Sequence, residues 1–270
     1  MISVRRAKLK GGPGSQDLSR GEIRSLLRKG GSRNPCAFTQ ASVCYLDFLS
    51  EYYYLLGYVD ETDRLLQIEA TLIDCWKYAP YIKRVSDFER FLGVLLEKKR
   101  CNPGHEFESL HERLATLNHT QRFLLVARTY QNWTYRGLHL ATRIKRYEIT
   151  SALTELKCVL TGFDKRSLKT SQQILLYRIN DLLEGELKIK ESRTIEKELR
   201  EQPLFRKFKA DWLAYRCELE ELKQSATFES PVVNAFKKRL TASFEEVPVN
   251  QPNFRDNLIN QFSFTRIPSV

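Results

Sequence analysis

Residues 120–163, TQRFLLVARTYQNWTYRGLHLATRIKRYEITSALTELKCVLTGF, carry the pattern on which the fold turns. Leu124, Leu125, Leu138, Ile149, Leu153, Leu156 and Leu160 recur at three- and four-residue steps within short blocks. That spacing suits small helices that each bury one face. Asn132, Gly137 and Arg143 are expected to break the helices apart, and Gly162 to cap the last one. The last helix then presents Lys145, Arg146, Tyr147, Thr150, Ser151, Thr154 and Lys157 outward, as a helix-turn-helix does when it enters a DNA groove. A plain antiparallel bundle with a solvated basic face fits the periodicity equally well.

Composition narrows the class. Of 270 residues, 42% are hydrophobic and 29% charged, which is ordinary for a globular chain with a packed core. A formal net charge of +11 and a pI near 9.4 favour a polyanionic partner, because Lys and Arg displace condensed counterions from phosphate. Six cysteines are scattered without a C-x-x-C pair, and no histidine has a second ligand at metal spacing. Neither a cofactor nor a metal is expected. His105, His111, His119 and His139 stand beside no nucleophile, and no Gly-rich phosphate loop occurs, so an enzyme is not the expectation. No apolar run reaches membrane-spanning length and no signal core opens the chain, which predicts a soluble, cytoplasmic protein.

An all-α architecture follows from the absence of strand-like alternation. Residues 1–34 hold nine Lys or Arg against Asp17 and Glu22 and predict a flexible basic arm with at most a short helix over Leu18–Leu27. Residues 35–100 predict three helices: ASVCYLDFLSEYYYLLGYV, then ETDRLLQIEATLIDCWKYA capped by Asp60 or Thr62, then SDFERFLGVLLEKKR with Ser86 and Glu89 as a capping box. Tyr52, Tyr53 and Phe91 are assigned to the core. The connector KYAPYIKRV sets Trp76, Lys77, Tyr78, Tyr81, Lys83 and Arg84 together, the mixture of cations and rings that single-stranded nucleic acid requires. A linker at 101–107 contains Pro103 and Gly104, and residues 108–163 form the block quoted first. After a joint at 164–170, residues 171–246 predict four more helices, one opening at Pro203 and one following Pro231. Residues 247–270 predict an extended tail.

The order of these blocks resembles an extracytoplasmic-function type RNA polymerase sigma factor. Leu114, Leu117, Gln121 and Arg122 keep an L-x-x-L-x-x-x-Q-R spacing ahead of the helix-turn-helix, and Tyr135, Leu138, Ile149, Leu153 and Leu160 match the apolar positions of region 4. Leu72–Trp76 and Phe88–Leu92 resemble region 2 phrases. His139 replaces a small residue of the family pattern, Arg143 a turn glycine, and Phe91 a tryptophan. The resemblance implies that residues 35–100 bind core polymerase through Asp60, Glu61, Asp63 and Glu69 and open promoter DNA at Trp76, Tyr78 and Tyr81. It implies that residues 108–163 read a −35 element, with Arg146, Thr150, Ser151 and Thr154 at base edges and Lys145 and Lys157 on phosphates.

Residues 171–246 resemble a zinc-binding anti-sigma domain through Gly185–Leu187, Ile195-Glu196, Glu198-Leu199 and Gln202–Arg206. Its ligand positions hold Glu198, Gln202 and Phe205, which cannot bind zinc as imidazole and thiolates do. Packing by Leu199, Leu204, Phe205, Phe208 and Trp212 is expected to replace the metal. The expected function is a sigma-like initiation factor whose partners are core RNA polymerase and promoter DNA. A fused C-terminal block is expected to touch the sigma-like blocks. The alternative is a diverged DNA-binding regulator or helical adaptor without initiation activity.

Overall fold

The computed structural model describes residues 18–99, 113, 114 and 116–249. The first 17 residues of the basic arm, the 101–107 linker, His105, His111 and nearly all of the 247–270 tail lie outside the described residues. Among those described, the chain forms twelve α-helices and no strand, so the protein is all-α.

Ile23 and Leu27, four apart, put the apolar side of α1 (Arg20–Gly31) against α2 (Pro35–Val43). A docked helix thus replaces the expected mobile arm over these residues, because Ile23, Leu27 and Gly30 are all buried. Ser19 caps α1, receiving the backbone N–H of Glu22 while Glu22 receives that of Ser19. The aromatic stretch expected as one helix is two, α2 and α3 (Leu46–Leu55), interrupted at Cys44 and Tyr45. Both are buried nearly all round, so no amphipathic stripe marks the break.

Asp60 caps α4 (Glu61–Lys77) by accepting the Asp63 amide at 2.9 Å, as its position predicted. The helix α5 (Val85–Glu97) begins earlier than its sequence signal, since Asp87 rather than Glu89 reaches back to the Arg84 amide at 3.0 Å. Glu89 is instead buried, held by Arg20 at 2.9 Å and by the Tyr45 hydroxyl at 3.1 Å.

The quoted stretch supplies α6 (His119–Leu125), a π-helical turn over Val126–Tyr130, α7 (Tyr135–Thr142) and α8 (Arg146–Thr161). Asn132 and Arg143 take positive φ and break the helices, but Gly137 lies inside α7. Then follow α9 (Thr170–Leu183), α10 (Ile189–Glu201), α11 (Pro203–Ala226) and α12 (Ser230–Glu246), the third opening at Pro203 as expected.

Packing runs across the boundaries suggested by the sequence. Trp133, just before α7, lies against Phe48 of α3 with ring centroids 5.5 Å apart, and against Phe123 of α6 at 6.0 Å. Phe244 of α12 stacks on Trp76 at 5.2 Å and meets Phe38 of α2 at 5.3 Å. Each such ring pair adds about 0.5–1.5 kcal/mol beyond the apolar area it buries. One continuous core therefore joins α1 through α8 with α11 and α12. A second, smaller core holds Leu175, Leu176, Ile179, Ile195, Leu199, Phe205 and Phe208. Phe205 and Phe208 are fully buried in this second core, whereas Trp212 joins the main core and Leu204 is 47% exposed.

Candidate nucleic-acid interface

The unit of α7, the turn after it and α8 is built from local devices. Thr134 caps α7 by accepting the Gly137 amide at 3.1 Å. Arg143 ends it in the left-handed region with φ 59°. His139 then donates from Nδ1 to the Ile144 carbonyl at 2.8 Å, bracing the turn from the helix that precedes it. His139 and Arg143 thus form the turn itself. Glu148 accepts the Lys145 amide at 2.8 Å and starts α8.

The outward residues of this region are the turn and the first helical positions after it. Arg143, Lys145, Arg146 and Tyr147 are exposed, Tyr147 by 65%. Lys145 sits over the Tyr147 ring at 5.9 Å and Arg146 over that of Tyr135 at 5.6 Å. Ser151 is half-buried, donating to Glu155 at 3.3 Å.

Farther along α8 the expected reading face is covered. Thr150, Thr154 and Lys157 are buried where α9 and α11 pack on α8. Thr150 donates to Asp181 at 3.2 Å, Thr154 donates to the Thr150 carbonyl at 2.7 Å, and Lys157 donates to Asn180 and Glu184, each at 2.6 Å. These three cannot meet DNA in this fold. The missed signal was in the sequence of α9, where Asn180, Asp181 and Glu184 share one helical face at three- and four-residue steps.

That acidic face continues into the loop after α9. Arg128, in the middle of the π-helical turn, contacts Glu184 at 2.7 Å and Glu186 at 3.1 Å, and donates to the carbonyls of Trp133 and Glu184. Arg146 reaches Glu186 at 3.7 Å. Burial pushes the Glu184 carboxyl up, but Lys157 and Arg128 outweigh it and hold the group below its usual range. Residues 171–246 therefore do touch the blocks before them. An open cleft of about 590 Å³ remains beside this contact, lined by Arg146, Tyr147, Thr150, Ser151, Tyr177 and Asp181.

Of the connector residues, Trp76 is placed differently from its expected role. Trp76 is 2% exposed, and its indole donates to the Val247 carbonyl at 3.0 Å. It fills the core under α12 and cannot stack on a base, a correction to its expected role. Tyr78 is half-buried against Phe91, 5.0 Å between centroids, with Tyr81 beside it at 6.4 Å, and Lys77 pairs with Asp74 at 2.9 Å. Lys83 and Arg84 are exposed. Of the polymerase-contact candidates, Asp60, Glu61 and Asp63 are exposed, whereas Glu69 binds Arg239 at 2.9 Å and Ser243 at 2.8 Å on α12.

No cluster of three potential metal ligands occurs among the described residues, and no helix there is long and apolar enough to cross a membrane. Comparison with family models, curated proteins and solved structures finds no match to this chain.

Proposed function

We propose that the protein is a duplex-DNA-binding regulator on a sigma-factor-like plan, contacting DNA through the α7–α8 turn rather than along the whole of α8. The observation that carries this reading is the split in α8. Its first turn is outward and cationic, while Thr150 and Lys157 are committed to α9 and Thr154 is buried. An inserted helix reads bases mainly from its N-terminal residues, so the outward end is the useful one. Arg146 and Tyr147 then face base edges, and Lys145 faces phosphate.

Melting of promoter DNA fits less well, since Trp76 and Glu69 are both engaged by α12 or the residues just after it. One observation favours the initiation reading as the second choice: Asp60, Glu61 and Asp63 form an outward acidic start to α4, suited to a basic polymerase surface. Two measurements on the full chain separate the readings. Fluorescence anisotropy with labelled duplex should show binding that Arg146→Ala weakens by roughly ten-fold, about one base or phosphate contact. Co-purification with core RNA polymerase, lost on Asp60→Asn/Asp63→Asn, would instead support initiation. Absence of duplex binding at low salt would overturn the regulator reading.

A further inference from the structure

The cleft of about 590 Å³ between the start of α8 and α9 is lined by Arg146, Tyr147, Thr150, Ser151, Tyr177 and Asp181. Its volume falls in the range of about 300–1,000 Å³ usual for small-molecule sites. The polar part of the lining is one-sided. Thr150 gives its hydroxyl proton to Oδ1 of Asp181 at 3.2 Å, and Ser151 gives its own to Glu155 at 3.3 Å. The Tyr135 hydroxyl also ends on Oδ1 of Asp181, at 3.4 Å, whereas Oδ2 accepts from none of the described residues. Thr150, Ser151 and Asp181 thus offer the cleft acceptors and no proton. Burial lifts the Asp181 carboxyl above its usual range although Thr150, Arg146, Tyr135 and Asn180 lower it, so this acid gains from further donors.

Two rings and one cation complete the lining. Tyr147 is 65% exposed on α8, and Tyr177 is half-buried on α9 with Lys165 over its ring at 4.9 Å. Arg146 is held only loosely, since Glu186 stands 3.7 Å away and the arginine side chain is 63% exposed. A ligand that is only a cation would meet Arg146, and one that is only an anion would meet Asp181. A planar base with an N–H edge and a phosphate satisfies both, and the rings suit its faces. Among the bases, guanine alone sets an N–H and an amino group side by side on one edge; adenine and cytosine set their amino group beside an acceptor. We propose that this cleft binds a guanine nucleotide, with the base edge on Asp181, Thr150 and Ser151 and the phosphate on Arg146. That edge is paired in a duplex, so the ligand is a free nucleotide or an unpaired guanine of a strand. Arg146 and Tyr147 also serve the duplex contact proposed above, so nucleotide and duplex compete; this consequence alone rests on that reading.

Calorimetric titration of the full chain with GMP, IMP and AMP tests the site in the absence of DNA. GMP should bind, IMP, which lacks the amino group, should bind about ten-fold more weakly, and AMP more weakly still. Asp181→Asn keeps an oxygen for Thr150 but turns an amide N–H towards the base. It should lose GMP and gain xanthosine monophosphate, whose carbonyl oxygen replaces the amino group; a misfolded chain cannot make that exchange. Tyr147→Ala, at an exposed side chain, should weaken GMP and IMP alike. A single-stranded oligothymidine carrying one guanine names the source: tighter binding than GMP supports an unpaired strand, weaker binding a free nucleotide. Equal affinity for GMP, IMP and AMP, no binding of GMP, or an Asp181→Asn chain that still prefers GMP overturns the site, whatever duplex does. GMP that binds without displacing labelled duplex overturns the competition. GMP binding in a chain that binds no duplex supports the site and overturns the regulator reading.

Discussion

The ammonium of Lys157 lies 2.6 Å from Oε1 of Glu184, with side chains 1% and 11% exposed, so α8 and α9 are joined by a largely buried ion pair. The Trp212 ring covers the same ammonium at 4.9 Å, and Oδ1 of Asn180 accepts a second hydrogen bond from it. Removing one member leaves the other charged and buried, which costs far more than the pair itself is worth. Glu184→Ala strands Lys157 and also takes a partner from Arg128. It should lower unfolding free energy by about 3–5 kcal/mol. Lys157→Met leaves Glu184 with Arg128 and fills the space beside Trp212, so it should cost less than half as much. Urea denaturation of the two variants checks this order; equal costs would show that the contact is loose.

Gly30 on α1 decides whether the N-terminal helix is docked. A Cβ at that position would stand 2.7 Å from Cδ2 and 2.9 Å from Cβ of Phe38, closer than real atoms approach. Helix propensity alone makes Gly30→Ala stabilising by about 1 kcal/mol. Against a ring held between Trp76 and Phe244, the clash should win and destabilise by about 1–3 kcal/mol. A raised melting temperature would mean that α1 does not pack as described.

His119 supplies a stability change in acid. Burial pushes its imidazole down to about 4, with Arg122 adding to the effect, and its Nδ1 sits 2.8 Å from the Tyr52 hydroxyl. The unfolded chain takes up the proton first, near its ordinary value of about 6.5. Stability is thus complete above that value and lost as pH falls through the window towards 4. His119→Asn, which keeps a polar partner for Tyr52, should show a flatter decline between about pH 6.5 and 4.5 in thermal melts. An unchanged decline would assign the acid sensitivity to other groups.

Legibility in the sequence followed the physical origin of each feature. The helices of the C-terminal half were visible because their apolar residues alternate with charge at helical spacing, and Pro203, Asp60 and Gly162 punctuate by local chemistry alone. The α2–α3 break was hidden because both helices are largely buried, polar residues such as Thr39, Ser42, Ser50 and Glu51 included, so no phase shift marks Cys44 and Tyr45. Trp76 was misread because a ring beside cations has the same local pattern whether it awaits a base or a core, and only the return of Phe244 decides between them. Lys157 shows the same limit: its partners stand 23 and 27 residues away, and the pairing of α8 with α9 is a tertiary fact.

Glu51 should make stability fall on the alkaline side. It is 2% exposed on α3 and accepts from the Gln131 amide at 2.8 Å, beside α11. Burial pushes its carboxyl up to about 8; Gln131 and Lys223 oppose this, while Asp47 and Glu220 reinforce it. The unfolded chain releases this proton near about 4.3, so between that value and 8 the folded state holds more protons and stability falls as pH rises. The loss at about pH 9 is on the order of a few kcal/mol. Glu51→Gln keeps the shape, removes the ionisation and can still accept from Gln131. Its advantage over the wild type should grow from near zero at about pH 5 to its maximum at about pH 9, read as the difference between two urea-unfolding series. Since Lys223 of α11 also donates to the Tyr130 carbonyl at 2.9 Å, ionised Glu51 could gain that lysine as a partner by a small shift. In that case the difference between the series would stay flat, and the carboxylate would be one the fold carries charged at neutral pH.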